Sequence, residues 1–356
     1  MSPRALIAMS GGVDSSVAAH LIAQMGMEVA GVTMKLYTNE DIDAEEDSGC
    51  CSLDDTLDAG EVARKLGFRH YVFNYSQQFR DEVIKDFVDS YMAGRTPNPC
   101  IVCNKKLKFG SLWDRAKELG YDYIVTGHYA RVEERDGRFI LRKAIDESKD
   151  QSYVLYNFTQ EQLAHVILPL GGMQKSQIRE IASTLGLVNA NKPDSQDICF
   201  VPDGDYVKFI ERYLGITEQP GDIIDVDGKV LGQHRGALRY TIGQRKGLGF
   251  AAGVPMFVID KNMACNTVTV SSGERLFRDS LIADDFNWVS IKAPTSPIEV
   301  SAKIRYKHRE QPATCIPRED GSVEVVFKEP QRAITAGQSV VLYDGDVVLG
   351  GGIIRS

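Results

Sequence analysis

The feature that most constrains the fold lies at the N-terminus. "RALIAMS" (residues 4–10) opens on an apolar run, as a strand buried on both faces does. "SGGVDSS" (10–16) follows, and "SSVAAHLIAQMG" then shows helical spacing up to Gly26. A strand that turns through glycines into a helix gathers unpaired backbone N–H groups at one point, where the helix dipole adds partial positive charge. Gly11 and Gly12 let the backbone approach an anion closely, and Ser10, Ser15 and Ser16 add hydroxyl donors. Asp14 would repel a phosphate unless a divalent cation stands between them, so it implies Mg²⁺. No lysine follows the glycines, as it does in the Walker loop. The plain alternative, a helix start capped by Asp14 or Ser15, accounts for one or two of these residues and leaves the rest of the run unexplained.

The alternation continues. "EVAGVTMKLY", "RHYVFNY" and "YDYIVTGHYA" read as strands, and "TLDAGEVARKLG" and "LWDRAKELG" as helices. The expected fold class is therefore α/β: a parallel sheet with helices on both faces, over residues 1–205. Past residue 205 one helix remains, "DYVKFIERYLG", followed by glycine-rich segments read as short strands, "GDIIDVDGKVLGQHRG" and "YTIGQRKGLGF". We expect a small mixed or β central domain over 206–285. "IEVSAKIRY", "SVEVVFKE" and "QSVVLYDGDVVLGGGIIR" alternate as half-buried strands do, giving a C-terminal β-barrel over 286–356. A chain of 356 residues has room for this many cores.

Net charge is −8, which at first argues against nucleic acid. Glu40 to Asp55, however, holds eight acidic residues and no Lys or Arg, so the remainder is near neutral. Local patches set a nucleic-acid footprint. "KIRYKHR" (303–309), "QHRGALRY" and "GQRKG" are such patches. The first is expected on a barrel strand, with Lys303, Arg305, Lys307 and Arg309 on one face; the alternative is a solvated strand face. No apolar run reaches membrane-span length and the N-terminus lacks the pattern of a signal peptide, so a cytoplasmic protein that does not engage a membrane is expected. Its seven cysteines are then more consistent with catalysis, metal binding or burial than with disulfides.

Cys100 and Cys103 stand in CxxC spacing within "GRTPNPCIVCNKKLKFG" (94–110), with Lys105, Lys106 and Lys108 just beyond. Basic neighbours favour the thiolate. Cys199 lies in the polar stretch "DSQDICFV" (194–201). Cys265 and Cys315 sit in strand-like stretches and are expected to be buried. Cys50 and Cys51, vicinal beside the acidic run, are given no role. His20 and His128 are left outside the catalytic set.

The loop resembles the SGGxDS pyrophosphate loop of the ATP-pyrophosphatase superfamily. Together with "GRTPNPCIVCNKKLKFG", "TGHYA", "DSQDICF" and "YTIGQRKGLGF", in that order over nearly the whole chain, it resembles the bacterial tRNA-specific 2-thiouridylases. That resemblance implies ATP cleavage between the α and β phosphates, AMP placed on O2 of the wobble uridine, and sulfur delivered from a cysteine persulfide to give 2-thiouridine. It implies ATP contacts from Ala8, Met9, Ser10, Gly11, Gly12, Val13, Asp14, Ser15, Ser16, Met34 and Gly127. Asp14, Cys103 and Cys199 would be the catalytic residues, with Cys199 the persulfide carrier and Cys103 its partner, ending as a disulfide that a reductant must reopen. Asn98, Pro99 and Cys100 would lie against the target base. Lys149, Asp150, Gln151, Arg305 and Tyr306 would touch tRNA. A sulfur-donor protein, a desulfurase or relay, would be a further partner. One position departs from some members, which carry Asp where this chain has Cys100. Three thiolates could instead hold a [4Fe–4S] cluster with one iron open to sulfide. The persulfide route is preferred, since thiol exchange needs only the two matched cysteines. A third reading keeps the loop but has it adenylate a different substrate.

Overall fold

The structure, a computed structural model, describes residues 2–42, 53–193, 198–250 and 253–355. Most of the acidic run, Cys50, Cys51 and Asp194–Asp197 lie outside them.

In chain order the strands are β1 (Arg4–Ala8), β2 (Glu28–Lys35), β3 (Arg69–Asn74), β4 (Tyr123–Val125), β5 (Ala130–Arg135), β6 (Arg138–Lys143) and β7 (Val166–Ile167). Then come β8 (Gly221–Ile224), β9 (Val230–His234), β10 (Phe257–Asn262), β11 (Thr267–Ser271) and β12 (Phe277–Asn287). The last are β13 (Ile298–Lys303), β14 (Gln311–Pro317), β15 (Val323–Arg332), β16 (Ser339–Asp344) and β17 (Val347–Ile354).

The first sheet runs β3-β2-β1-β4-β7, all parallel. Alternation along its strands feeds two cores. Ala5, Ile7 and Val125 join Val17, Ala18, Ala59, Val62, Ile178 and Ala182 on one face. Leu6, Val32, Met34 and Ile124 join Phe79, Phe87, Leu107 and Leu112 on the other. Helices therefore cover both faces, as expected. Strand order reverses between β1 and β4, and in such sheets the crevice beyond the strand ends at that reversal is the binding position. The "SGGVDSS" loop leaves β1 there.

The central domain is a four-stranded sheet, β10-β11-β8-β9, over a core of Ile223, Tyr240, Val258, Val268 and Val270. Its helix Tyr206–Leu214 is where the sequence placed it, capped by Asp205, whose side chain accepts from Lys208 N at 3.0 Å. "YTIGQRKGLGF" was expected to contain strand. Its described residues are turns and loop instead, because its glycines at 243, 247 and 249 hold positive φ, which extended strand does not use.

The C-terminal barrel runs β12-β15-β14-β13-β16-β17 and is closed by β12 pairing with β17. It is six-stranded, and its interior is Leu281, Ala283, Val300, Ala313, Val325, Phe327, Val340 and Leu342. The boundary expected at 285/286 falls inside β12. The hairpin β5–β6, inside the span expected to be α/β but not itself anticipated, extends this sheet through Val347 opposite Arg142. Arg138 clasps it with bonds to the carbonyls of Ser290 (2.9 Å) and Ile291 (2.7 Å). This hairpin thus fastens the barrel to the α/β domain.

"KIRYKHR" is not a strand. β13 ends at Lys303, and residues 304–308 form bends and a turn, with His308 N bonded to Arg305 O at 3.1 Å. Strand alternation therefore does not set the direction of Arg305, Lys307 and Arg309. Cys265, expected buried, is exposed in the turn linking β10 to β11, whereas Cys315 is fully buried and its thiol pKa is pushed up to about 12 by that burial.

Candidate active site

The loop after β1 is built by its glycines. Gly11 has φ +72°, and a Cβ there would lie 2.4 Å from the backbone O of Asp55. Gly12 is the N-cap of the helix Val13–Ala23, in extended conformation. Ser15 and Ser16 donate their hydroxyls to Gly12 O at 3.0 Å each, and Ser10 N donates to Ser15 Oγ at 3.2 Å. Asn189, 2% exposed, donates to Gly11 O and Ser16 Oγ at 2.8 Å. The loop is therefore a fixed cradle, with Val13 and Met9 buried beneath it. Gly127, just past β4, crosses directly over it: a Cβ there would stand 2.8 Å from Ser15 N and 3.2 Å from Asp14 Cβ. Ala8 ends β1 and Met9 follows it, and Met34 is buried on β2 two residues past Val32, the partner of Ala8. The loop and Gly127 thus meet at the β1–β4 reversal, whereas Met34 lies on β2 in the core on the other face of the sheet from Met9.

Asp14 holds partners the sequence did not supply. Its Oδ1 accepts from Tyr129 OH at 2.7 Å and from Lys175 Nζ at 2.7 Å, and Oδ2 accepts from Lys175 at 2.8 Å. Lys175 opens the helix Lys175–Thr184, 161 residues further along the chain. Its position carried a signal: a cation at the first residue of a helix opposes the macrodipole and needs a nearby anion. Three accepted bonds against roughly four lone-pair sites leave a carboxylate room for about one further ligand. Asp14 alone therefore fits a Mg²⁺ that arrives already carried by phosphates. Among the described residues no three His, Cys, Asp or Glu side chains come together as a metal site.

The CxxC segment is a short helix, Pro99–Cys103, with Asn98 as N-cap and Pro99 in its first turn. It passes straight into a π-helical stretch, Asn104–Ser111, a form frequent at functional sites. Cys100 is exposed and Cys103 is 7% exposed within the hydrophobic core. Cys199 packs against that same core. Its neighbour Phe200 is the anchor: 1% exposed, with ring contacts to Phe79, Phe87 and Phe209 at 5.5, 5.1 and 5.2 Å. Two of the three lysines expected to activate the thiol pair with carboxylates. Lys105 pairs with Asp285 at 2.7 Å and Lys106 with Glu82 at 3.9 Å. Lys108 lies close enough to His128 for its charge, after burial, to help hold that imidazole well below its ordinary pKa. His128 is neutral near pH 7, bonded to Thr126 Oγ1 at 2.8 Å.

The residues expected to touch tRNA are brought together. Tyr306 OH donates to Asp150 O at 3.2 Å, and burial, then the charges of Asp150 and Cys100, raise its pKa. Lys303 Nζ lies 5.7 Å from the Tyr306 ring. The backbone before Asn98 is braced on the barrel, with Thr96 N bonded to Ala336 O and Gln338 Nε2 to Thr96 O, both at 2.9 Å. Several of these side chains also serve the fold. Arg305 donates to Ala333 O (2.9 Å) and Thr335 Oγ1 (2.7 Å). Asp150 accepts from Ala144 N, Ser152 N and Ser152 Oγ, and Gln151 Oε1 accepts from Tyr129 N. Lys149 is half-buried beside them.

A glycine-built anion cradle at the reversal of a parallel sheet, in a chain that also carries two cysteines at one core cluster and a six-stranded barrel, defines a nucleotide-binding α/β protein with an appended barrel. Residues 3–203 match the family model described as "tRNA methyl transferase HUP domain", 207–272 its "PRC-barrel domain", and 278–354 the "Aminomethyltransferase beta-barrel domain". The chain is 50% identical over its full length to the tRNA-specific 2-thiouridylase MnmA of Clostridioides difficile, covering 99% of that protein. It is 51% identical over 99% of its length to that of Clostridium perfringens, covering 98% of it. Among solved structures, a 4-thiouridine synthetase in complex with RNA and ATP matches loosely, at 18% identity and TM-score 0.39 over 60% of this chain and 50% of that one. The chain belongs to the tRNA-specific 2-thiouridylase family.

Proposed function

We propose that the protein is an ATP-dependent tRNA sulfurtransferase that forms 2-thiouridine at the wobble position, using the cradle, Cys199 and Cys103. The observation that carries this is the joining of two features in one chain: an anion cradle without a Walker lysine, and two cysteines at one core cluster. The cradle holds the pyrophosphate half of ATP against backbone N–H groups, while the Ser15 and Ser16 hydroxyls brace the loop through Gly12 O. Mg²⁺ enters with the triphosphate and supplies charge neutralisation there, with Asp14 as the chain's carboxylate toward it. A uracil C2 carbonyl is a poor electrophile, and adenylation of its oxygen makes AMP a leaving group. The terminal sulfur of a Cys199 persulfide then attacks C2. Cys103 thiolate attacks Sγ of Cys199 and breaks the sulfur–sulfur bond. That electron pair stays with the sulfur on C2, AMP departs, and a Cys103–Cys199 disulfide remains for a reductant to open. A donor protein reloads Cys199, and the work is done in the cytoplasm, where thiols stay reduced.

Cys100, exposed beside Tyr306, sits with Asn98 and Pro99 on the side facing the target base. The exposed Cys100 and the buried Cys103 differ in surroundings, which favours exchange between two thiols over a three-thiolate cluster. Incubated with tRNA and ATP, the purified protein is expected to release AMP and pyrophosphate. Release of ADP and phosphate, or cleavage indifferent to tRNA, would contradict the role given to the cradle.

The grip on tRNA rests on the bend after β13. Lys307 and Arg309 are exposed there, whereas Arg305 is held by the barrel. Lys307→Ala with Arg309→Ala is expected to weaken tRNA binding and lower its salt slope by about two, one for each phosphate no longer neutralised. Binding titrations at several salt concentrations read this, and parallel lines of equal affinity would mark the bend as a solvated surface.

A further inference from the structure

The segment in front of the CxxC helix is stiff. In "TPNPC" (96–100) each proline fixes its own φ and keeps the residue before it extended, so Thr96, Pro97, Asn98 and Pro99 have little freedom of their own. Holding Thr96 therefore sets where Asn98 and the first turn of the CxxC helix stand. Thr96 is held from another domain, by the barrel. Its N–H donates to Ala336 O at 2.9 Å, and its carbonyl accepts from Gln338 Nε2 at 2.9 Å. Gln338 Nε2 also lies 3.5 Å from Pro97 O. Gly337, at φ +87°, lets the two chains touch: a Cβ there would be 2.9 Å from Arg95 Cβ and 3.0 Å from Thr96 N.

Ala336, Gly337 and Gln338 lie in the link between β15 and β16, and that link is fixed on its own side. Ala333 holds φ +56°, a conformation that a residue with a Cβ keeps only when its surroundings impose it. Ala333 N donates to Leu276 O at 2.8 Å, and Ala333 O accepts from Arg305 and from Thr335 Oγ1, both at 2.9 Å. Arg332, one residue earlier, donates to Gly243 O of the central domain at 3.3 Å. Closure of the barrel is made by β12 and β17 and does not need the half-buried Gln338 side chain. A rigid link bonded across to a proline-stiffened segment is suited to setting a position. We propose that Gln338 is a positioning residue for the reaction on tRNA: it holds the Thr96 carbonyl and, through the two prolines, keeps Asn98 and Cys100 in register with the target base. This rests on the reading of Asn98–Cys100 as the side facing that base. It gives the barrel a part in the chemical step that is separate from its grip on tRNA.

The test is tRNA-dependent AMP release by full-length wild type, Gln338→Met, Gln338→Lys and Asn98→Ala, at saturating ATP over a range of tRNA concentrations, with a thermal melt of each. Gln338→Met keeps the length of the side chain and removes its donor. Because a misplacement of about 1 Å can cost on the order of a hundredfold in rate, it is expected to lower kcat about tenfold or more. Its KM for tRNA should stay within about twofold, since the exposed cations of the bend are untouched. Gln338→Lys, which restores a donor to the carbonyls of Thr96 and Pro97, should recover much of the kcat. A wild-type kcat in Gln338→Met would overturn the inference. So would an equal loss in Gln338→Lys, or a loss of kcat that follows the melting temperature across the variants, either of which would make Gln338 only a packing residue. Asn98→Ala separates the two readings. If it keeps the wild-type kcat, the segment does not face the target base and the inference falls with that reading. If it loses kcat while Gln338→Met does not, the inference alone fails.

Discussion

Cys199→Ser is expected to lose tRNA thiolation by roughly a thousandfold or more, the scale of loss when a covalent nucleophile is removed, while still cleaving ATP. A serine hydroxyl forms no persulfide, so no sulfur can be parked beside C2. The fold has little reason to fail. Cys199 is only partly buried, and the packing at this point comes from Phe200, whose ring is held by Phe79, Phe87 and Phe209. Loading with a radiolabelled persulfide donor separates the steps. Cys199→Ser should stay unlabelled, and Cys103→Ser should take up label but fail to pass it on. Thiolation at the wild-type rate by Cys199→Ser would remove the persulfide from the account.

Gly11→Ala is the second large effect. The residue sits at φ +72°, where a side chain costs about 1–2 kcal/mol. Its new methyl would meet the backbone of Asp55 at 2.4 Å, and a backbone atom at a helix start cannot swing aside as a side-chain tip can. The loop must move instead. A displacement of about 1 Å at a reacting centre costs on the order of a hundredfold in rate. AMP release should therefore fall about a hundredfold, with tRNA affinity changed far less because the exposed cations Lys307 and Arg309 lie in the barrel domain. Wild-type AMP release by Gly11→Ala would mean that the loop does not position the phosphates.

The cradle was legible because a strand, two glycines and a helix start are local. Each residue of "SGGVDSS" acts through its own backbone or a neighbour's, so proximity in sequence is proximity in space. Lys175 was not legible as a partner of Asp14, since 161 residues separate them and only the β1–β4 reversal and the packing of its helix close the gap. Its one local sign, a cation at a helix N-terminus, says that an anion is near without saying which. The β5–β6 hairpin was not legible as a part of the barrel sheet, because period-two patterning says nothing of which sheet a strand joins. "KIRYKHR" failed in the opposite way. Its alternation continued past Lys303, but Arg305 found acceptors at Ala333 and Thr335 and the chain bent toward them. Tertiary hydrogen bonds overrode a pattern that propensity alone would have extended.

The most direct test joins both halves of the site. Unmodified tRNA is incubated with purified protein and a persulfide donor, with and without ATP, and its nucleosides are analysed by mass spectrometry. The account predicts 2-thiouridine only when ATP is present, formed in step with AMP. Either 2-thiouridine made without ATP, or none made with ATP and a loaded donor, would contradict it.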